Sequence, residues 1–135
     1  MHKPVEATQT PTPIPYTIAD RYFVRNDYHA KDHPNPAIST AAEFDNVFGR
    51  APIMGPKGKP TAIDFNTQYV VGLIEEPTNK DTKIIMQSMK MQNDTIWVNY
   101  SVSIGEQTGV TMQPAMVLII DKKYGGTIKL NKMKT

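Results

Sequence analysis

Cysteine is absent from the 135 residues, and disulfides, thiolate zinc sites and thiol catalysis go with it. Long apolar runs are absent too. The longest is AMVLII at 115–120, far short of the ~20 residues a membrane-spanning helix needs. Charge of one sign is scarce, with a net +2 that is too small to point to nucleic acid or to a membrane surface as partner. Histidine is confined to positions 2, 29 and 33, and neither a G-x-S-x-G turn nor an H-E-x-x-H helix occurs. A nucleophile–base–acid constellation therefore has no sequence support. Glu75 and Glu76 are adjacent near a strand end, where successive side chains diverge and do not converge on one substrate. These absences favour a protein that is not an enzyme and has no catalytic residues, cofactor or bound metal.

Two stretches invite a sharper reading and do not sustain it. GPKGKPT at 55–61 has the glycines, lysine and threonine of a phosphate loop, but Gly58-Lys59 is followed by Pro60 and the position five before Gly58 is Ile53. The required spacing, and the helix that should follow, are missing; the stretch reads as a turn-rich bridge into the AIDF strand start. In DYHAKDHP, His29 and His33 are four apart, which on a helix would put both imidazoles on one face for zinc. Pro34 and Pro36 oppose that helix, so solvated loop histidines are expected.

What is present is β-forming. Apolar residues make up 39% and charged residues 21%, ordinary for one globular domain. The first 15 residues, with Pro4, Pro11, Pro13 and Pro15 among threonines, read as a disordered leader or tether. Such a tether fits a chain released from an export signal or held by a lipid anchor upstream. The domain then spans 16–132 and a frayed tail 133–135. Positive charge collects at the end, +4 from Asp121 onward against −2 before it, as expected of a solvated final hairpin.

A capping box, Thr40-Ala-Ala-Glu43, opens a short helix of about 40–48 with Phe44, Val47 and Phe48 on one face. Gly49 stands where a C-cap belongs. Strands are expected at 16–25, 67–75, 83–92, 95–104, 115–121 and 127–132. TQYVVGLIE and AMVLIID are apolar on both faces, which marks them as central; TIWVNYSVSI alternates, with Ile96, Val98, Tyr100, Val102 and Ile104 inward. Asn93-Asp94 supplies a tight hairpin turn. With those two as the turn, Met91 faces Ile96, Met89 faces Val98, Lys90 faces Trp97, Gln87 faces Tyr100 and Ile85 faces Val102; only Gln87 breaks the apolar match. The lysine would then make a cation–π contact with Trp97. The expected fold is mainly β (α+β): a small antiparallel β-sandwich or open barrel, with the helix inserted after the first strand.

Candidate partner contacts are Trp97 and Asn99 on the outer face of the 95–104 strand with Lys90 across from Trp97 on the 83–92 strand, and Lys57, Lys59, Gln107 and Thr108 in loops at one end. Trp97 among Asn99, Ser101 and Ser103 stands out on a polar sheet face. Met86, Met89, Met91, Met112 and Met116 read as adaptable core filler. Asn93-Asp94-Thr95 and Asn99-Tyr100-Ser101 match the N-glycosylation pattern; the second lies within a paired strand, where modification is not expected.

FDNVFG (44–49), KPTAIDFNTQYVVGLI (59–74), NDTIWVNYSV (93–102) and QPAMVLIIDKKYGGTIKL (113–130) together resemble small exported proteins of Bacteroidetes. These in turn are similar to the C-terminal domain of the PrcB-like, protease-complex subunit family. Ile63, Asp64, Phe65, Val70, Val71 and Pro114 carry the match; the Gly-Gly-aromatic loop usual after the I-D-F strand is replaced here by GLIEEPTNKDTKI. The resemblance implies an extracytoplasmic, non-enzymatic β domain, in the periplasm or at the cell surface, that binds or stabilises another protein of the cell envelope. The chain is expected to be a monomer with no nucleic-acid partner and no transmembrane segment. The alternative is a small-ligand or carbohydrate-binding sandwich.

Overall fold

The computed structural model describes residues 10–52, 54–55 and 58–133. Its strands in chain order are β1 (Thr12–Pro13), β2 (Thr17–Ala19), β3 (Tyr22–Val24), β4 (Ala37–Ile38), β5 (Phe48–Arg50), β6 (Gln68–Ile74), β7 (Thr78–Gln92), β8 (Thr95–Met112), β9 (Ala115–Asp121) and β10 (Thr127–Met133). The single α-helix, α1 (Ala41–Val47), lies between β4 and β5, so four short strands precede it where one was expected. The protein is a mainly β sandwich: one sheet runs β1-β7-β8-β10 and the other β2-β9-β6-β4, with β3 and β5 forming a separate ribbon. The sheets remain open and do not close into a barrel.

Local chemistry explains the elements. Thr40 caps α1, its hydroxyl accepting the Glu43 N–H at 3.2 Å, while the Glu43 carboxylate accepts from that same hydroxyl at 3.3 Å and not from the Thr40 N–H. Phe48, extended at φ −118°, is the C-cap. Gly49 belongs to β5, opposite Phe23, where a Cβ would overlap the Phe23 ring. The strand expected over 16–25 is divided at Arg21, whose φ of 71° turns the chain between β2 and β3. Thr12 and Pro13 pair with Met91 and Lys90 and Ile14 is buried. The end of the proposed leader is thus part of the fold, while residues 1–9 lie outside the described set. Met133, assigned to the tail, closes β10.

Two apolar layers hold the sandwich together. Tyr69, Val71, Leu73, Leu118 and Ile120 from β6 and β9 meet Met89, Ile96, Val98, Tyr100 and Val102 from β7 and β8. On the other face of β6 and β9, Val70, Val117 and Ile119 pack with Phe44 and Val47 of the helix and with Val24 and Phe48 of the ribbon. A sheet covered on both faces needs apolar residues at every position, and one covered on a single face needs them at alternate positions. That is the difference between AMVLIID and TIWVNYSVSI.

β6–β7 and β8–β9 form one two-stranded ribbon that passes through both sheets. The β6–β9 ladder ends with Ile74 opposite Ala115, the Glu75 N–H donates to the Pro114 carbonyl at 2.9 Å, and Thr78 opposite Met112 begins the β7–β8 ladder. Bulges between Thr78 and Lys80 and between Lys80 and Thr82 supply the bend that strands use to change sheets. The turn at the far end is Asn93-Asp94, with φ of 53° and 66°, as a two-residue hairpin of this type requires.

The register holds as read from Gln92 to Ser88 and then slips by one. Met86, not Gln87, faces Tyr100, and Ile84, not Ile85, faces Val102. Gln87 is the bulged residue, and its Nε2 donates to Ser101 Oγ at 3.0 Å. Burying an amide against Tyr100 without a partner costs free energy, whereas a one-residue bulge moves it to the polar face and admits Met86 and Ile84. Ile85 is left 43% exposed.

β10 does not form a hairpin with β9. β9 already has β2 on one edge and β6 on the other, so β10 crosses to the free edge of β8 and pairs with it in parallel, from Thr127–Thr95 to Met133–Ser101.

Candidate functional site

Three surfaces are available for function, and the bend in the long ribbon is the most exposed. Residues 78–81 and 105–112, the second of which holds Gln107 and Thr108, expected in a loop, are paired with each other: Thr78 faces Met112 and Lys80 faces Gln107. Gly105 lies against the Asp81 carbonyl, 3.2 Å from where a Cβ would stand, and Gly109 turns the chain at φ +80°. The Thr108 hydroxyl reaches the Asn79 carbonyl at 3.1 Å and accepts the Val110 N–H at 3.2 Å, so this residue holds the bulge together. Residues 103–112 are all exposed. Ile104 and Val110 are each 65% exposed and Met112 53%. Ile104 and Met112 therefore leave the core set in which the sequence reading placed them. Beyond Met133 the edge of β8 has no paired strand among the described residues.

The outer face of the β1-β7-β8-β10 sheet carries Trp97, Lys90 and Asn99 together. Trp97 has Lys90 opposite on β7 and Lys129 opposite on β10, and is 38% exposed. Among the described residues the lysine over a ring is Lys123, 5.2 Å from the Tyr124 centroid, not Lys90 over Trp97. Asn131 Nδ2 donates to Asn99 Oδ1 at 2.8 Å, and Asn99 Nδ2 donates to Ser88 Oγ at 2.9 Å. The Asn99 amide is thus committed within a three-strand polar ladder. Gln107 and Thr108 belong to the bend, Lys57 lies outside the described residues, and Lys59 is exposed in the connection that returns Thr61 to Asp20. There the Asp20 N–H donates to Thr61 Oγ1 at 2.9 Å and the Tyr22 hydroxyl donates to the Thr61 carbonyl at 2.5 Å, which gives the threonine a structural role.

The third surface is a cleft of about 260 Å³ at the open side of the sandwich, between β4 and β10. Tyr28, Asp32, His33 and Glu43 line it above an apolar floor that includes Ile38, Val47, Ile74 and Leu130. His29 and His33 flank a 3-10 turn at Ala30–Asp32, and His33 stacks on Tyr28 with centroids 5.5 Å apart. Among the described residues no group of three or more metal-ligating side chains converges.

Ionisation is shifted by burial and by ion pairs: Arg25 and Asp27 hydrogen-bond at the surface, which raises the guanidinium and lowers the carboxyl. Burial raises the phenols of Tyr22, Tyr28, Tyr69 and Tyr100 above their ordinary value. Lys132 is raised first by its hydrogen bond to Glu75, Nζ to Oε1 at 2.6 Å, which ties β10 to the end of β6. For the four phenols and Lys132 the folded value exceeds the unfolded one, so the folded state retains protons longer. Their contribution to stability is complete below the unfolded values, about pH 10, and is lost as pH rises through the folded ones. Urea midpoints are expected to fall from about pH 10 upward, and less steeply in Tyr69→Phe; a level profile to about pH 12 would contradict the assignment.

Compared with protein-family models, curated proteins and solved structures, the chain matches none. The surfaces themselves therefore carry the functional reading. Sequence reasoning found the outer sheet face but missed the apolar character of the bend and the cleft. One signal for the bend was legible: Val110 and Met112 resume an alternation that Gly105 and Gly109 interrupt.

Proposed function

We propose that the protein is an exported, non-enzymatic protein-binding or accessory module of the cell envelope, of the kind the PrcB-like resemblance implies, with the ribbon bend as its contact surface. The observation that carries this reading is the run of ten exposed residues in a hydrogen-bonded strand, including three large apolar side chains that are each more than half exposed. Isolated exposed apolar residues are ordinary; a cluster of them on an ordered two-stranded element whose edge is unpaired is a recognition feature.

The double variant Ile104→Lys/Val110→Lys tests the reading. Both side chains are solvated in the folded state, so stability should change by less than about 0.5 kcal/mol. Capture of a partner from envelope fractions by the immobilised protein should fall by roughly tenfold or more. Trp97→Ala, assayed in parallel, separates the two faces. If Trp97→Ala abolishes capture and the double variant does not, the contact surface is the outer sheet face, and the bend is not the binding element.

A further inference from the structure

We infer that the cleft between β4 and β10 is a binding site for a small organic cation, an ammonium group carried on a compact apolar body. This inference is independent of the protein-binding role of the bend. Its volume of about 260 Å³ lies just below the ~300–1,000 Å³ of sites that enclose drug-sized ligands, so a compact molecule is the appropriate size. The floor is apolar, from Ile38 and Ile74 of the sheet edge, Val47 of the helix and Leu130 of β10. Leu130 occupies an inward-facing register position opposite Val98 yet is 41% exposed, because β10 and β4 are the edges of their sheets and, among the described residues, no strand closes the gap between them.

The rim selects the sign of charge. Its ionisable side chains are Asp32, Glu43, His33 and the phenol of Tyr28, and neither an arginine nor a lysine lines it. Two carboxylates thus face one cavity in a protein whose net charge is +2. Glu43 is fixed by the helix cap, one oxygen engaged by the Thr40 hydroxyl, which leaves the other oxygen free to accept. Asp32 is positioned by the 3-10 turn, its N–H donating to the His29 carbonyl at 3.0 Å. Tyr28, stacked on His33, also lines the cleft, and an aromatic ring attracts cations through its quadrupole. An anion would be repelled by both carboxylates, and a neutral ligand would gain nothing from them. An ammonium group on an apolar body satisfies the rim and the floor together.

The experiment is a titration of the folded protein with benzylammonium, followed by amide NMR, with benzyl alcohol and benzoate as matched neutral and anionic probes. Saturable shifts at residues 28–38, 43–47, 72–74 and 130 are expected for benzylammonium at roughly millimolar affinity, with benzyl alcohol weaker and benzoate without effect. Asp32→Asn and Glu43→Gln should each weaken benzylammonium by roughly tenfold and leave benzyl alcohol unchanged. Glutamine at position 43 still accepts in a capping box, so the helix start is retained. Equal affinity for the alcohol and the ammonium, shifts that map elsewhere, no saturable shift, or variants that bind benzylammonium as tightly as the parent would each overturn the assignment.

Discussion

Replacing Phe44 with alanine is expected to lower the unfolding free energy by about 3–5 kcal/mol. Phe44 is 1% exposed and is the hub of an aromatic cluster. Tyr22 meets it edge-on at 5.1 Å, Phe48 is tilted against it at 5.1 Å and Phe65 at 5.7 Å. These rings belong to β3, β5 and the segment before β6, so one side chain joins the helix to three separate pieces of chain. Truncation leaves a cavity that the surrounding backbone, pinned by the β3–β5 pairing and by Thr61, cannot collapse to fill. Against a total stability of about 5–15 kcal/mol, the loss corresponds to a fall of Tm on the order of 10–20 °C. Thermal unfolding followed by circular dichroism measures it. A loss below about 1.5 kcal/mol would mean that the helix layer is not part of the cooperative unit.

Gly126→Ala is expected to cost on the order of 3 kcal/mol, for a different reason. Gly126 has φ +157° and its α-carbon sits over the β7–β8 turn, so that a Cβ would stand 2.6 Å from the Asp94 carbonyl oxygen. That oxygen cannot move freely, because it accepts the Thr127 N–H at 3.0 Å and Asp94 itself occupies a left-handed turn position. The clash is therefore with backbone and cannot be relieved by a rotamer change. It falls where the chain leaves β9 and begins β10, so the strain acts on the crossing that gives the first sheet its edge strand. Gly125→Ala is the control: a Cβ there meets nothing within 4 Å, and its effect should stay within about 0.5 kcal/mol. Equal midpoints for the two variants in urea would show that the close approach at Gly126 is not maintained in solution.

Both predictions concern places where distant segments meet, and these are where reading the sequence alone reached its limit. The helix was legible to within a residue, because the capping box and the spacing of Phe44 and Val47 are local. The hairpin register was legible near its turn for the same reason: Asn93-Asp94 fixes the pairing and burial selects the face. It ceased to be legible at Gln87. The apolar pattern flagged that residue as a mismatch, but whether the chain would bury it or bulge around it depended on Ser101 across the strand. Of the candidate contacts, Trp97, Lys90 and Asn99 do share one surface, since strand alternation alone puts them there. Gln107 and Thr108 read as loop in the sequence, where Gly105 and Gly109 break the apolar alternation, and are strand in the fold. Their pairing with Asn79 and Lys80 spans nearly thirty residues of sequence.

By itself, then, the sequence determined the helix, the two apolar faces of β6 and β9, the inward face of β8 from Ile96 to Val102, the turn at Asn93-Asp94 and the exclusion of cysteine chemistry. Each follows from composition or from a period of two or 3.6 residues, which needs no knowledge of neighbours. The tertiary structure decided the rest. It carries β10 across to run parallel with β8 because both edges of β9 are occupied. It bends one long ribbon through two sheets and leaves Ile104, Val110 and Met112 uncovered at the bend. It brings Asp32 and Glu43 to one cleft. These outcomes depend on which edges and faces remain free once the other elements have packed, a property of the assembled chain that no local window contains.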